Sequence, residues 1–257
     1  MIKQEVNPLI AKSIMRPTEV FSAPIGPKWE EQPKLNGVFA RWDPATRAFY
    51  SKRGIKFKEH LIPSLYAMHR HVNVPLDGEI WSGTRSLQQI TGALSHERDV
   101  VADYESYLGY YVFDVPDYTH TKNYRARMAQ IPLGVVSISC IMFGLADPQI
   151  DGIIYRYLPG TYERGESGNV LKKKFWKDID APVVGVTLAT PGSLNDGALG
   201  GLVCTLPNGT PFLVGSGYTL DERLEFIEHP PRSIKARYLA LSPDGVPLNP
   251  SYMGLDL

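Results

Sequence analysis

The stretch Gln32-Pro33-Lys34-Leu35-Asn36-Gly37-Val38 decides how the chain is read. A lysine succeeds an extended segment, and a glycine sits three residues on. Such a pair recurs by chance and is ordinarily a solvated turn lysine, so its meaning rests on the order of the motifs downstream. Ser51-Lys52-Arg53-Gly54 is a basic turn. Leu76-Asp77-Gly78-Glu79-Ile80-Trp81 sets a carboxylate after an Asp-Gly turn, at the start of a strand. Tyr111-Val112-Phe113-Asp114 ends a strand with an aromatic, and Asp151-Gly152-Ile153-Ile154-Tyr155-Arg156 repeats the carboxylate–glycine–strand theme and ends in a cation. In Leu171-Lys172-Lys173-Lys174-Phe175, alternation along a strand puts Lys172 and Lys174 on one face. Each has a plain structural reading when taken singly: Glu79 at the surface beside a turn, Phe113 in the core, the two lysines on a solvated strand.

Around these pieces the chain reads as short strands rich in β-branched and aromatic residues, with turn residues between them. GVFARWD, AFYSKRG, VPLDGEIW, YLGYYVFDV, DGIIYRY and VLKKKFW are the strand candidates; FKEHLIPSLYAMHRH, TRSLQQITGAL and TKNYRARMAQI are the helical ones. PLIAKSIM reads as a short helix before Pro17, and FSAPIGPKW as an extended connector. Strands alternating irregularly with helices predict a mixed α+β domain with antiparallel sheets. The composition shifts near Asp178–Ala181. Beyond it APVVGVTLA, ALGGLVCTL, TPFLVGSGY and IKARYLALS form four or five short strands, with PNGT and PDGV as hairpin turns. A segment of this size and kind suits a small barrel such as an OB-fold, or another small barrel or sandwich. The expected division is residues 1–178 and 181–257, with a hinge near Asp178–Pro182.

The 257 residues, 43% hydrophobic and 21% charged, fit a soluble chain of one large domain, or one medium and one small. No apolar run approaches 18 residues and the N-terminus lacks a secretory pattern, so no membrane partner is expected. Cys140 and Cys204 lie far apart, without metal-type spacing. The net charge is zero, which counts mildly against a nucleic-acid partner. It is unevenly divided, however. Residues 1–180 hold 23 Lys+Arg against 20 Asp+Glu, a balance of +3, and residues 181–257 hold 4 against 7, a balance of −3. Any nucleic-acid footprint must come from local patches, mainly in the first part.

Together and in this order, the motifs resemble the covalent nucleotidyltransferase superfamily of ATP-dependent DNA ligases, RNA ligases and capping enzymes. The resemblance runs from about Trp29 to Gly254. Ala181-Pro-Val-Val-Gly, Gly200-Gly-Leu-Val, Phe212-Leu-Val-Gly-Ser-Gly-Tyr and Arg223 look like the OB domain of DNA ligases, and Arg237 to Tyr252 like the end of small phage and bacterial ones. The resemblance implies an adenylation domain and then an OB-fold, and a minimal ligase that seals nicks in double-stranded DNA through AMP carried on Lys34. A monomer in the cytoplasm is expected.

The residue types suit that chemistry. A neutral amine is a good nucleophile, but a free lysine, with pKa about 10.4, is neutral only about once in 2,500 at pH 7. Nearby cations disfavour its charged form, and Lys172, Lys174 and a divalent metal would supply that field. The two lysines would also neutralise the α-phosphate. Mg²⁺ (or Mn²⁺) prefers oxygen ligands, so Asp151 and Glu79 suit it. By the resemblance, Glu79 also meets the ribose, Phe113 stacks on adenine, Lys52 or Arg53 fills the second motif, and Gln32, Asn36, Gly37 and Arg156 complete the nucleotide site. Gly37 would let the backbone pass close to the nucleotide.

Four departures stand out. Asn36 replaces the usual aspartate, Phe39 the usual arginine (with Arg41 on the same strand face as a candidate substitute), and Asp151 the usual glutamate. No basic final motif is evident in Asn249–Leu257. An RNA ligase, a capping-type nucleotidyltransferase and a weakly active nick-binding relative are the alternatives.

Overall fold

The computed structural model describes residues 5–95, 107–140, 150–242 and 244–256. The chain divides into two compact units, residues 1–174 and 175–257. The residues expected as a hinge, 178–182, lie inside one strand, Lys177–Leu188, and are paired along their backbone. Among the described residues no helix is long and apolar enough to cross a membrane.

The first unit contains, in chain order, α1 (Pro8–Ser13), β1 (Met15–Glu19), β2 (Trp29–Leu35), β3 (Val38–Asp43), β4 (Ala48–Tyr50), α2 (Pro63–His69), β5 (Leu76–Trp81), α3 (Leu87–Ser95), β6 (Gly109–Asp114), α4 (Tyr124–Met128), β7 (Ile150–Tyr157) and β8 (Gly165–Lys174). These strands form two sheets, ordered β1-β8-β7-β2 and β4-β3-β5-β6. All pairings are antiparallel except that of β1 with β8, which is parallel. The two-residue turn Asn36-Gly37 carries the chain from one sheet to the other.

Period-two burial shapes the second sheet. Trp42, Leu76, Ile80, Tyr110 and Val112 turn to a core shared with Leu65 and Tyr66 of α2 and Ile90 and Leu94 of α3. Each such buried side chain contributes about 1.5–3 kcal/mol. Asp77-Gly78, expected as a turn, lies within β5. Gly78 is needed there because a side chain would come within 2.6 Å of the Tyr110 ring. Asp151-Gly152 likewise lies within β7, not at a turn. The segment expected as one helix over 57–71 breaks at Pro63, which opens α2 as its first residue. The PLIAKSIM helix stops at Ser13, and Met15 begins an unexpected strand, β1. Its Pro17 is tolerated because β1 lies at a sheet edge.

Arg41 sits beneath this sheet, 1% exposed. It pairs bidentately with Asp77 across the β3–β5 ladder, at 2.6 and 2.7 Å, and donates to the hydroxyls of Tyr118 and Tyr162.

The second unit contains β9 (Lys177–Leu188), β10 (Leu199–Thr205), β11 (Pro211–Val214), α5 (Leu220–Glu228), β12 (Ser233–Tyr238), β13 (Ala240–Leu241), β14 (Pro247–Leu248) and β15 (Ser251–Leu255). Its main sheet runs β11-β10-β9-β12-β15. The long strand β9 pairs with β12 through its first half and with β10 through its second. A bridge between Ser216 and Ser251, with the Tyr252 amide donating to the Ser216 carbonyl at 2.8 Å, draws the two ends of this sheet together. That is the curled five-stranded arrangement of an OB-fold. PNGT makes the β10–β11 hairpin with Gly209 at φ +82°, where a side chain would be strained. Helix α5, not anticipated, starts at a Thr219/Glu222 capping box and sends Phe226 into the core beside Leu199 and Tyr252.

Removing one partner of a buried ion pair leaves the other charge uncompensated. Asp77→Ala is therefore expected to cost about 3–5 kcal/mol of stability, read from the urea midpoint; a variant within experimental error of the parent would contradict this account of Arg41.

Candidate active site

A cavity of about 410 Å³ opens in the first unit, lined by residues from both sheets. The strands β2, β7 and β8 supply one wall, and their register places its side chains in rows. Lys34 is opposite Gly152, which is opposite Lys174; Gln32 is opposite Ile154, which is opposite Lys172. Gly152 keeps the first row low. A side chain there would press within 2.2 Å of the Lys173 carbonyl. The other sheet contributes Phe39, Glu79 and Phe113 from three adjacent strands.

Several charged side chains meet in the cavity. The Lys34 ammonium donates to both oxygens of Asp151, at 2.7 and 2.9 Å. Asp151 reaches it through a register shift: Lys34 is opposite Gly152 but Leu35 is opposite Ile150, leaving Asp151 as the extra residue of a bulge. Lys174 and Lys172 lie 3.1 and 3.9 Å from a single carboxylate, Glu19 of β1. Burial pushes the Lys172 amine down, and neighbouring Lys174, Lys34 and Lys52 add to that against the pull of Glu19. Burial pushes the Glu79 carboxyl up to about 8. Lys34 opposes this, Asp151 adds to it, and the Gly37 amide, which hydrogen-bonds Glu79, opposes it with Lys52.

The lining also has aromatic and apolar members. Phe113 and Phe39 lie 6.0 Å apart between ring centroids, and Ile138, Ile154 and Val170 complete the lining. Behind them a buried polar network fixes the wall. The Arg156 guanidinium stands 5.0 Å from the Phe113 ring centre, pairs with Asp114 and donates to Gln32. Gln32 donates to the Tyr124 hydroxyl at 2.6 Å, and Tyr124 donates to the Phe113 carbonyl. Burial pushes the Asp114 carboxyl up, while Arg127, paired bidentately with it, and Arg156 oppose this.

Of the residues expected from sequence, Gln32, Lys34, Lys52, Glu79, Phe113, Arg156, Lys172 and Lys174 line the cavity, and Asp151 joins it through Lys34. Asn36, Gly37 and Arg53 are not lining residues. Asn36 occupies the turn between the sheets. Gly37 packs against β5: a side chain would fall 2.5 Å from the Ile80 carbonyl. Lys52 and Arg53 are both exposed on their turn, and of the two only Lys52 lines the cavity. Arg41 does not replace the missing arginine, since Asp77 and two tyrosines occupy its donors. Lys34 is found directly on the carboxylate of Asp151, a residue expected as a metal ligand. Sequence reasoning missed Glu19, Arg16 and Glu166, which come from β1 and the strand paired with it. With β1 unread, no local signal marked them.

The first unit thus holds a cavity lined from two sheets, and the second has an OB-like arrangement of strands. No protein-family model matches the chain, and no curated protein does. Solved structures share its fold. One, from a structure–function analysis of Lig E DNA ligases, superposes on 95% of this chain and 100% of its own at TM-score 0.71 and 17% identity. The structure named Pmar-Lig_Pre matches 94% of this chain and 67% of its own at TM-score 0.67 and 16% identity. Pmar-Lig_PreS3 matches 88% and 62% at TM-score 0.64 and 18% identity. At these identities the likeness is one of fold.

A carboxyl raised from its ordinary value to about 8 keeps a proton in the folded state that the unfolded chain releases near pH 4 to 5. Stability should therefore fall as pH rises from about 5 to 8. Glu79→Gln cannot ionise and should lose this component. The melting temperature of the variant relative to the parent is expected to climb between pH 5 and pH 8; a constant difference would refute a raised Glu79.

Proposed function

We propose that this chain is an ATP-dependent DNA ligase that joins a 5′-phosphate to an adjacent 3′-hydroxyl in nicked duplex DNA, through AMP carried on Lys34. The observation that carries the reading is the cavity. Residues scattered from 32 to 174 converge in one site, which brings an amine, two carboxylates and a lysine pair together with aromatic side chains. This combination suits a nucleotide, whose phosphates need cations and whose base needs a flat apolar surface. The shared fold with a Lig E DNA ligase supports the choice among nucleotidyltransferases.

In the proposed reaction the Lys34 nitrogen, uncharged, attacks the α-phosphorus of ATP. A P–N bond forms, the P–O bond to pyrophosphate breaks, and AMP remains on the lysine. The AMP then passes to the 5′-phosphate, and the 3′-hydroxyl oxygen displaces it. Lys172 and Lys174 face the position where phosphate charge redistributes. Lys34, held on Asp151, must lose a proton before it can react, because a nitrogen bonded to three protons has no lone pair to give. Asp151 and Glu79 would hold Mg²⁺ (or Mn²⁺). Among the described residues no cluster of three or more metal-ligating side chains stands ready as a protein-only cage. The donor set thus suits an ion that binds with substrate phosphates and one or two carboxylates, where it supplies charge stabilisation.

Incubation with ATP and Mg²⁺ should raise the intact mass by one AMP, and Lys34→Ala should abolish that gain. An adduct retained on the variant would remove Lys34 as nucleophile, and an adduct that never moves to nicked DNA would remove the ligase reading. Phe113→Ala should raise KM for ATP about tenfold with a smaller effect on kcat, the scale of one lost base–aromatic stack; an unchanged KM would place the base elsewhere.

A further inference from the structure

The lysine pair on β8 is held by a residue that the reaction itself does not require. Glu19 ends β1, and its carboxylate stands 3.1 Å from Lys174 and 3.9 Å from Lys172. It is not among the residues that line the cavity, whereas both lysines are. The carboxylate therefore reaches the two ammonium groups without itself being part of the cavity lining.

The backbone is built to bring it there. Along the parallel β1–β8 pairing, Met15, Arg16 and Pro17 match Gly165, Glu166 and Ser167 one for one. The register then jumps, so that Thr18 meets Leu171 and Glu19 meets Lys172. Without the jump Glu19 would lie beside Asn169, away from both lysines. The Val20 amide, donating to the Lys172 carbonyl at 2.9 Å, fixes the strand end after the shift.

We propose that Glu19 is a positioning residue for adenylyl transfer, holding the Lys172 and Lys174 ammonium groups charged and aimed into the cavity. The proposal rests on the ligase reading of the site. Two like charges two residues apart on one strand face repel, and long flexible side chains would otherwise spread toward solvent. One carboxylate between them offsets the repulsion and restricts both. The groups that face Lys172 are Lys174 on its own strand, Glu19 on β1, Lys34 on β2 and Lys52 on the basic turn. Glu19 is the only one of these that favours the charged amine.

The test compares Glu19→Gln and Glu19→Asp with the parent in single-turnover formation of the lysyl-AMP adduct between pH 6 and 10. Loss of one charge-assisted contact should slow adduct formation about tenfold in Glu19→Gln, with KM for ATP changed much less. The alkaline limb of the rate profile should move to lower pH, because Lys172 loses its proton more readily. Glu19→Asp should recover part of the rate. Superimposable profiles for parent and Glu19→Gln, in an enzyme that forms the adduct, would overturn the proposal and leave the ligase reading standing. If the parent forms no adduct, the ligase reading fails. The hold on the lysines is then judged by mass-mapped acetylation of Lys172 at pH 8. Faster modification in Glu19→Gln than in the parent supports that hold, and equal rates reject it.

Discussion

The two residues Asn36 and Gly37 join strands that belong to different sheets, and the site is a result of that constraint. A chain that leaves β2 and enters β3 across so short a turn must bring the two sheets together at that point. Gly37 allows the approach because it has no side chain to set against the Ile80 carbonyl and the Glu79 side chain. Lys34, three residues before the glycine, is thereby placed close to Glu79 on the facing sheet, near enough for its charge to pull on that carboxyl. The spacing of lysine and glycine is thus a statement about sheet geometry before it is one about chemistry.

The charge of the cavity is only partly compensated. Asp151 takes the charge of Lys34, one carboxylate, Glu19, is shared by Lys172 and Lys174, and Glu79 keeps its proton up to about pH 8. None of these arrangements is a large source of stability, because partly exposed pairs contribute little. Their effect is on the state of the amines. A phosphate ligand enters a site whose lysine pair is already held beside a carboxylate, while Lys34 must give up a proton before its nitrogen can react. The deeply buried pairs, Arg41–Asp77 and Arg127–Asp114, serve the fold instead, by fixing the strands from which the site residues project.

Much of this was legible in the sequence. Lys34, Glu79, Phe113, Lys172 and Lys174 sit on strands whose alternation is plain, and their order along the chain is informative even though each is ambiguous alone. What was not legible depended on register and packing. Asp-Gly pairs read as turns, but Tyr110 packing on Gly78 and the bulge at Asp151 keep them in strands. Arg41 has the right face of β3 for the cavity, yet Asp77 stands directly opposite and captures it. The strand β1 was hidden by its proline, and with it went Glu19. Helix α5 had a readable start in Thr219-Leu-Asp-Glu222, but the turn-rich stretches on either side pointed to strands alone.

The proline in β1 has one more effect. The outermost strand of an open sheet presents unpaired backbone groups to solvent, a template on which another polypeptide can lay itself down. A ring in the middle of that strand removes one amide hydrogen and fixes one torsion, so the template is interrupted after two or three residues on either side. The border of the sheet nearest the lysine pair is in this way made a poor seed for aggregation, and the concentration at which the protein can be kept in solution benefits from a residue that a strand is ordinarily thought to exclude.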